Sequence, residues 1–259
     1  MVRLVVVGCA LVVALSGCGR TAAAPSSGRP AYTLMQMNLC LSGLADCYRD
    51  RVDYPAALAE AVALIRRTHP DAVTLSEGCS GDVARIARRT GYHARFSTVI
   101  YGGAPFGCID PGGRGVFGDA VLTKADIVQA RNDAFAAQTD IERRRWLCVK
   151  TRAGVDVCTA HLNERTSAEV AGNNAQCAEL RALLARRSTA RPVIFGGDVN
   201  RRPSCAPAGF WTATDSSSHQ APGLQHVYGS RGFRSPAPQV LTATHTDHDV
   251  LVVRARIRR

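Results

Sequence analysis

Apolar and polar residues alternate along the chain with two periods, one typical of strands and one typical of helices. Short apolar runs bounded by turn-forming residues predict strands at residues 32–37, 72–75, 116–122, 145–149, 155–159, 192–195, 224–228 and 249–253. Apolar residues at helical spacing predict helices at residues 55–67, 82–89 and 167–187. Strands outnumber helices and several are hairpin-linked, so the pattern indicates mixed sheets covered by helices rather than a purely parallel sheet.

The N-terminal segment follows neither pattern. Residues 4–15 form an apolar run after Arg3 that is too short to span a bilayer and is typical of a secretory signal. The run leads into Cys18 through Ser16 and Gly17, which resembles a bacterial lipoprotein signal whose cysteine is acylated; cleavage after Ala24 is the alternative. We therefore expect an exported protein, either a cell-surface lipoprotein or a secreted one. Its parts are a signal peptide (residues 1–17), a flexible tether (residues 18–30) and a folded domain (residues 31–259).

Composition adds a limited amount to this picture. With 46% hydrophobic and 20% charged residues, the 259-residue chain is an ordinary globular protein, and its length suits one large domain. The net charge is +11, and loss of Arg3 with the signal leaves 31 basic against 21 acidic side chains, or +10. Because an arginine bias can reflect a GC-rich genome, this charge alone is weak evidence for an anionic partner.

The ten cysteines are more informative. Cys9 belongs to the signal and Cys18 is the lipidation candidate, which leaves an even set of eight, as expected of four disulfides in an exported protein. Short loops favour Cys40–Cys47 and Cys148–Cys158, with Cys79–Cys108 and Cys177–Cys205 left over, out of about 105 connectivities. The irregular spacing without a C-x-x-C pair disfavours zinc, and thiols used in this way exclude a cysteine nucleophile.

Polar residues with catalytic potential stand at the ends of five predicted strands. Each residue alone is explained as a turn former. Five groups in order, each tied to a buried strand, indicate a site instead. The groups are Asn38, Glu77, His161 with Asn163, Asp198 with Asn200, and Asp247 with His248.

Short motifs around these residues resemble a known family. They are Met37-Asn38-Leu39, Leu75-Ser76-Glu77, Gly118-Asp119-Ala120-Val121-Leu122, His161-Leu162, Gly197-Asp198-Val199-Asn200 and Thr246-Asp247-His248. Over residues 31–256 the chain is similar to the endonuclease/exonuclease/phosphatase family, the DNase I-like metal-dependent phosphodiesterases. The resemblance implies an α/β fold of four layers, an α/β/β/α sandwich of two mixed sheets flanked by helices.

The resemblance also implies a divalent cation. Glu77 is the best ligand candidate, with Asn38 beside it and Asp247 from the far end of the chain. Oxygen ligands fit Mg²⁺, with Mn²⁺ or Ca²⁺ as alternatives. Residues 245–248 hold two histidines and an aspartate, and His161 could complete a zinc site, but short motifs of this kind are often false positives.

The remaining roles follow from phosphodiester chemistry and the resemblance. Asp198 orients or deprotonates the attacking water, and Asn200 holds a phosphate oxygen. His161 and His248 flank the phosphate as acid/base groups or cationic donors. Arg145 and Asn163 are candidate phosphate-binding residues. No further protein partner is inferred, and we expect a monomer.

Three departures from the family pattern bear on activity. Ser76 replaces a glutamine, Asp119 replaces an asparagine, and Gln225 stands where an aspartate commonly supports the C-terminal histidine. A neutral amide at Gln225 can orient His248 but stabilises its imidazolium less.

Three functions are therefore open. The first is a nuclease hydrolysing DNA or RNA, favoured by the arginine-rich charge. The second is a phospholipid or sphingomyelin phosphodiesterase or a phosphatase, with a membrane reached only through the lipid anchor. The third is a catalytically weakened basic binding protein, which the Gln225 departure suggests.

Overall fold

The architecture is that of a computed structural model, which describes residues 1–2, 31–139 and 141–258. The predicted tether, Cys18 and most of the predicted signal peptide lie outside the described residues. The strands are β1 (Ala31–Asn38), β2 (Ala72–Cys79), β3 (His93–Thr98), β4 (Ile100–Tyr101), β5 (Ala104–Pro105), β6 (Phe117–Thr123), β7 (Ile127–Ala134), β8 (Glu142–Arg143), β9 (Arg145–Thr151), β10 (Asp156–Ala160), β11 (Val193–Asp198), β12 (Trp211–Thr214), β13 (Gln225–Gly229), β14 (Phe233–Leu241) and β15 (Val250–Ile257). The helices are α1 (Asp46–Arg51), α2 (Ala56–Thr68), α3 (Ser80–Thr90) and α4 (Val170–Arg187).

Two six-stranded sheets form the centre of the domain. Their strand orders are β14-β15-β1-β2-β6-β3 and β12-β13-β11-β10-β9-β7, and a small third sheet has the order β5-β4-β8. Each large sheet contains one parallel pair, β1–β2 in the first and β10–β11 in the second, and its other neighbours are antiparallel. The prediction of mixed sheets is confirmed.

Three apolar clusters separate four layers. Along β1, Met35 and Met37 face α2 and α3, whereas Leu34 faces the second sheet, because successive side chains of a strand point to opposite faces. On the far side, Phe195 of β11 packs with Leu180 of α4. The resulting α/β/β/α sandwich is the architecture that the resemblance implied.

The sequence pattern located every interior strand of the two large sheets and missed their four edge strands, β14, β3, β12 and β7. An edge strand is partly exposed and needs no continuous apolar run. β7 carries Arg131, Asn132 and Asp133 in succession, and β14 contains Pro236 and Pro238, which an edge position tolerates because a proline cannot donate to a ladder. The short α1 and the small third sheet were also missed.

All four predicted disulfides are present, both the two that short loops favoured and the two that were left over. Cys148 and Cys158 are opposite each other on β9 and β10, while Cys177 joins α4 to the loop after β11 through Cys205. Cys40 and Cys47 close the loop after β1. Across the described part of the chain, no helix has the length and apolar character needed to cross a membrane.

Candidate active site

The polar strand ends meet at one edge of the sandwich. Parallel pairing aligns the carboxyl end of β1 with that of β2, and that of β10 with that of β11. The start of β15, antiparallel to β1, returns to the same edge. A cavity of about 400 Å³ opens there. Among its lining residues are six of the sequence-predicted candidates: Glu77, His161, Asp198, Asn200, Asp247 and His248.

Backbone irregularities turn two of these side chains into the cavity. The pairing of β2 with β6 shifts register between Leu75 and Gly78, and Glu77 within this bulge has φ +58°. Asn200 has φ +51°, and its backbone N–H donates to Asp198 Oδ1 at 3.0 Å. Left-handed conformations of residues other than glycine are strained and are concentrated at functional sites, so both positions indicate a built site.

Two glycines let the strands approach closely before Asp198. A Cβ on Gly196 would clash with Thr74 Oγ1 of the other sheet, and one on Gly197 would clash with the carbonyl of Ala160. Without these side chains, β11 lies close enough to β10 for the bridge between His161 and Asp198.

Asn38 links two carboxylates. Its Nδ2 donates to Glu77 Oε1 at 2.8 Å and to Asp198 Oδ2 at 3.1 Å, while its Oδ1 accepts from the backbone N–H of Cys40 at 3.1 Å. The amide therefore presents N–H groups, not oxygen, to the carboxylates. In this geometry Asn38 positions Glu77 and Asp198, and its role as a metal ligand stays a prediction.

Burial strongly raises the pKa values of two acidic side chains at the cavity and beside it. It raises the pKa of Glu77 to about 7, with a further rise from Asp247 and an opposing effect of the bond from Asn38. Burial also raises the pKa of Asp119 to about 8, against the charge of Arg144. Asp119 Oδ2 has no hydrogen-bond partner among the described residues. A neutral Asp119 is close in shape and charge to the asparagine that the family pattern has at this position.

The pKa values of the two histidines are shifted in opposite directions. Burial and Arg144 lower the pKa of His161 to about 3, and Arg144 Nη1 lies 2.9 Å from its Nδ1. For His248, burial acts in the same direction but is outweighed by Asp198 and Asp247, whose carboxylates each lie 3.6 Å from its Nε2, so its pKa is raised. Their surroundings therefore favour the neutral form of His161 and the cationic form of His248, where the sequence treated both alike.

The arginine at the cavity is Arg144, not Arg145. Arg144 is buried, lines the cavity and pairs with Glu142 at 2.8 Å. Arg145 instead donates to Asn132 Oδ1 on the neighbouring strand β7. The structure therefore places Arg145, the predicted phosphate-binding residue, outside the lining of the cavity and places Arg144 within it.

Asn163 has a structural role rather than the predicted contact with phosphate. Its side chain donates to Thr139 Oγ1 at 2.6 Å and accepts from Gln176 Nε2 at 2.8 Å. Asn173 donates to the carbonyls of Asn163 and Val199. These bonds anchor the loops that carry His161 and Asn200 to the first turns of α4.

Gln225 does not support His248. Its Nε2 donates to the carbonyl of Asp249 at 2.6 Å and to Asp215 Oδ2 at 3.3 Å. His248 Nδ1 is buried and has no hydrogen-bond partner in the described ranges. The substitution thus leaves the imidazole oriented by the carboxylates at its other nitrogen.

An aromatic wall that sequence reasoning missed stands beside the carboxylates. Tyr101, Phe106 and Phe117 line the cavity, with ring centroids 5.4 Å apart for the first pair and 6.5 Å for the second. Tyr101 belongs to β4, Phe106 directly follows β5, and Phe117 begins β6, so their separation in sequence gave no periodic signal.

Carboxylates, an arginine and two unlike histidines at one edge of a four-layer sandwich define the class of DNase I-like phosphoester hydrolases. The chain belongs to the Endonuclease/Exonuclease/phosphatase family, whose sequence profile matches residues 35–248. Enzymes of this family hydrolyse phosphoesters and typically depend on a divalent metal.

Solved structures share the fold at low sequence identity. The human nocturnin catalytic domain with bound sulfate has a TM-score of 0.68 at 18% identity, covering 88% of this chain and 94% of that chain. An endonuclease/exonuclease/phosphatase from Beutenbergia cavernae has 0.65 at 18%, covering 88% and 72%. TDP2 from Caenorhabditis elegans has 0.62 at 18%, covering 87% and 74%. A search of curated protein sequences gives no significant match.

Proposed function

We propose that this chain is an exported, divalent-metal-dependent phosphodiesterase that hydrolyses the phosphodiester bonds of nucleic acid. The observation that carries the proposal is that Glu77, Asp198 and Asp247 converge in one cavity with His248, whose pKa is raised, beside the aromatic wall. Carboxylates can bind the cation and orient the attacking water, and aromatic rings can stack on nucleobases.

The donors at the cavity fit a hard cation. Glu77 and Asp247 offer carboxylate oxygens, and the charge of Asp247 adds to the raised pKa of Glu77, a cost that a bound cation relieves. Asp247 also lies near the sulfurs of Cys40 and Cys47, but both sulfurs are used in the disulfide and are not ligands. When bound, Mg²⁺ or a similar ion neutralises charge that develops on the phosphate oxygens.

The residues of the chain supply the other steps. Asp198, held by Asn38 and by the backbone of Asn200, accepts a proton from the attacking water as the new P–O bond forms. The cationic His248 donates toward the phosphate. Neutral His161 accepts at Nδ1 from Arg144 Nη1, 2.9 Å away, and the amide of Asn200 is held by its bond to the carbonyl of Leu162 at 2.9 Å. The bond from phosphorus to the leaving oxygen then breaks, and that oxygen takes a proton from His248.

A phospholipid or sphingomyelin head group on the same site is the second candidate. The aromatic wall and the predicted lipid anchor at Cys18 favour it, since both suit an amphipathic substrate at a membrane surface.

The test is hydrolysis by the full chain of plasmid DNA, RNA, sphingomyelin and bis-p-nitrophenyl phosphate, with Mg²⁺, Mn²⁺, Ca²⁺ or EDTA. We expect metal-dependent cleavage of nucleic acid and a loss of about a thousandfold in Asp198→Asn. Exposed Asp126, paired with Arg152 on the surface, gives the matched control Asp126→Asn. Turnover that is insensitive to both EDTA and Asp198→Asn would refute the proposal. Turnover of sphingomyelin alone would favour the second candidate.

Export and lipidation are a separate part of the proposal. The full chain expressed in a bacterial host is expected to incorporate labelled fatty acid and to fractionate with membranes. Cys18→Ser should abolish the label. Retention of the label in that variant would contradict acylation at Cys18.

A further inference from the structure

A second cavity adjoins the active-site cavity. It has a volume of about 390 Å³, and Asn200 lines both cavities. Three guanidinium groups line it over an apolar floor, and we name it the arginine cleft. The groups are Arg165, Arg201 and Arg202, and the floor includes Pro203, Pro222 and Leu224.

Helix α4 fixes two of these arginines in place. Asn174 Oδ1 accepts from Arg165 Nη1 at 2.9 Å and from Arg201 Nη1 at 3.0 Å. Arg201 also donates to Asn173 Oδ1 at 3.1 Å and, through Nε, to the carbonyl of Pro203 at 3.1 Å. Two like charges therefore share one neutral oxygen, an arrangement that is repulsive without an anion.

No carboxylate lies within 4.0 Å of these three guanidiniums in the part of the chain that the structure describes, whereas Arg114 and Arg144, which are buried, each have an acidic partner. Arg114 pairs with Asp82 at 2.9 Å, and Arg144 pairs with Glu142. The pKa of Arg201 is lowered by burial and by the charge of Arg165. The charge of the cleft is thus uncompensated within the described protein.

We propose that the arginine cleft binds the phosphate next to the scissile one in a polynucleotide, with the sugar on its apolar floor. The proposal rests on the proposed function, because it assumes that the scissile phosphate lies in the adjoining cavity. Guanidinium groups match phosphate geometry, and Arg201 directly follows Asn200, so a chain that crosses Asn200 enters the cleft. A choline head group, which is cationic, would be repelled there.

The variant Arg165→Gln/Arg202→Gln removes the two exposed charges and keeps Arg201, which has three bonds to the fold. Its matched control is Arg256→Gln, an exposed arginine at the opposite end of the first sheet, where it pairs with Ala31. The full chain and both variants are assayed on a single-stranded DNA oligonucleotide and on bis-p-nitrophenyl phosphate, which has one phosphate.

We expect the double variant to lower kcat/KM on the oligonucleotide roughly tenfold more than on bis-p-nitrophenyl phosphate. The slope of log(kcat/KM) against log salt should fall by about one. An equal change in kcat/KM on both substrates, or the same change in Arg256→Gln, would refute the proposal that the cleft binds phosphate. Cleavage of bis-p-nitrophenyl phosphate without any cleavage of DNA or RNA would also refute the proposed role of the cleft. The protein would then still be a phosphodiesterase.

A binding measurement separates the cleft from the proposed function. Fluorescence anisotropy of a labelled oligonucleotide in EDTA requires no hydrolysis. Roughly tenfold weaker binding by the double variant supports the cleft even if no substrate is cleaved, whereas unchanged binding refutes it.

Discussion

The two cavities on either side of Asn200 have opposite charge. The active-site cavity is lined by six acidic side chains, Asp46, Glu77, Glu142, Glu164, Asp198 and Asp247, and Arg144 is its sole arginine or lysine among described residues. The arginine cleft has three arginines and no acid in its described lining. The net charge of +11 therefore says little about the catalytic centre, whose carboxylates handle a cation, while the surplus of arginine is available for substrate around it. The four predictions below test this division, from the largest expected effect to the smallest.

Glu77→Gln should remove activity and yet stabilise the metal-free protein. We expect kcat/KM to fall by about a thousandfold. The pKa of Glu77 is raised from 4.5 to about 7, so the folded protein loses stability as pH rises between these values, and glutamine removes that loss. At pH 8 in EDTA the variant should be about 2 kcal/mol more stable. Denaturant titration checks this, with exposed Asp50→Asn as the control. A variant that is fully active, or less stable in EDTA, would contradict the assignment.

Each cavity has a disulfide near it, and the two should act differently. Removing Cys177–Cys205 with serines should lower the free energy of unfolding by about 3–4 kcal/mol, because its sequence separation is 28 residues. Removing Cys40–Cys47, separated by 7, should cost about 2 kcal/mol but should also lower kcat, because Cys47 lines the active-site cavity. Urea unfolding and active-site titration measure the two effects. Equal loss of activity per folded molecule in both variants would argue against this difference.

The neighbouring arginines 144 and 145 provide a matched pair. Arg144→Gln should lower kcat about a hundredfold, since Arg144 fixes neutral His161 and compensates Glu142. Arg145→Gln should remain within about twofold, because this side chain contacts Asn132. Arg144→Lys and a thermal melt of each variant separate a loss of activity from unfolding. A larger effect at Arg145 would restore the interpretation from the sequence alone.

Asp249, which directly follows His248, gives the smallest effect. Its carboxylate accepts from Ser218 Oγ at 2.9 Å, from the N–H of His219 at 2.9 Å and from the N–H of Ala243 at 3.1 Å. Burial opposes these bonds, but together they hold its pKa below the ordinary value. The stability that they contribute is present above about pH 4 and is lost as pH falls through the folded pKa. Asp249→Asn should cost about 1–2 kcal/mol at pH 7 and less at pH 3. A penalty independent of pH in urea titrations would contradict this account.

The sequence predicted the interior of the fold better than its margins. Buried strands such as β11 carry continuous apolar runs, whereas β7 and β14 at the edges present polar residues and prolines to solvent. No local pattern distinguishes such strands from loops, because their pairing is decided by the strand beside them.

Within the site, the sequence predicted residue type and order but not hydrogen-bond direction. The sequence of residues 143–145 does not show which arginine points into the cavity. Arg144 does so because it lies at the break between β8 and β9. The sequence contains a weak indication that Gln176 and Asn173 hold Asn163, because both are polar residues on the buried face of a helix. The arginine cleft depends on Asn174, whose role emerges only from the folded contacts.

Gly196 and Gly197 limit how this site can diversify. Neither position has room for a single added methyl group, because one faces the opposing sheet and the other faces β10. The spacing between Asp198 and His161 is therefore set by main chain, and no side chain can adjust it. Variation that redirects the enzyme to another phosphoester must come from the rim, where exposed Arg165 and Arg202 and the aromatic wall can change without moving the strands.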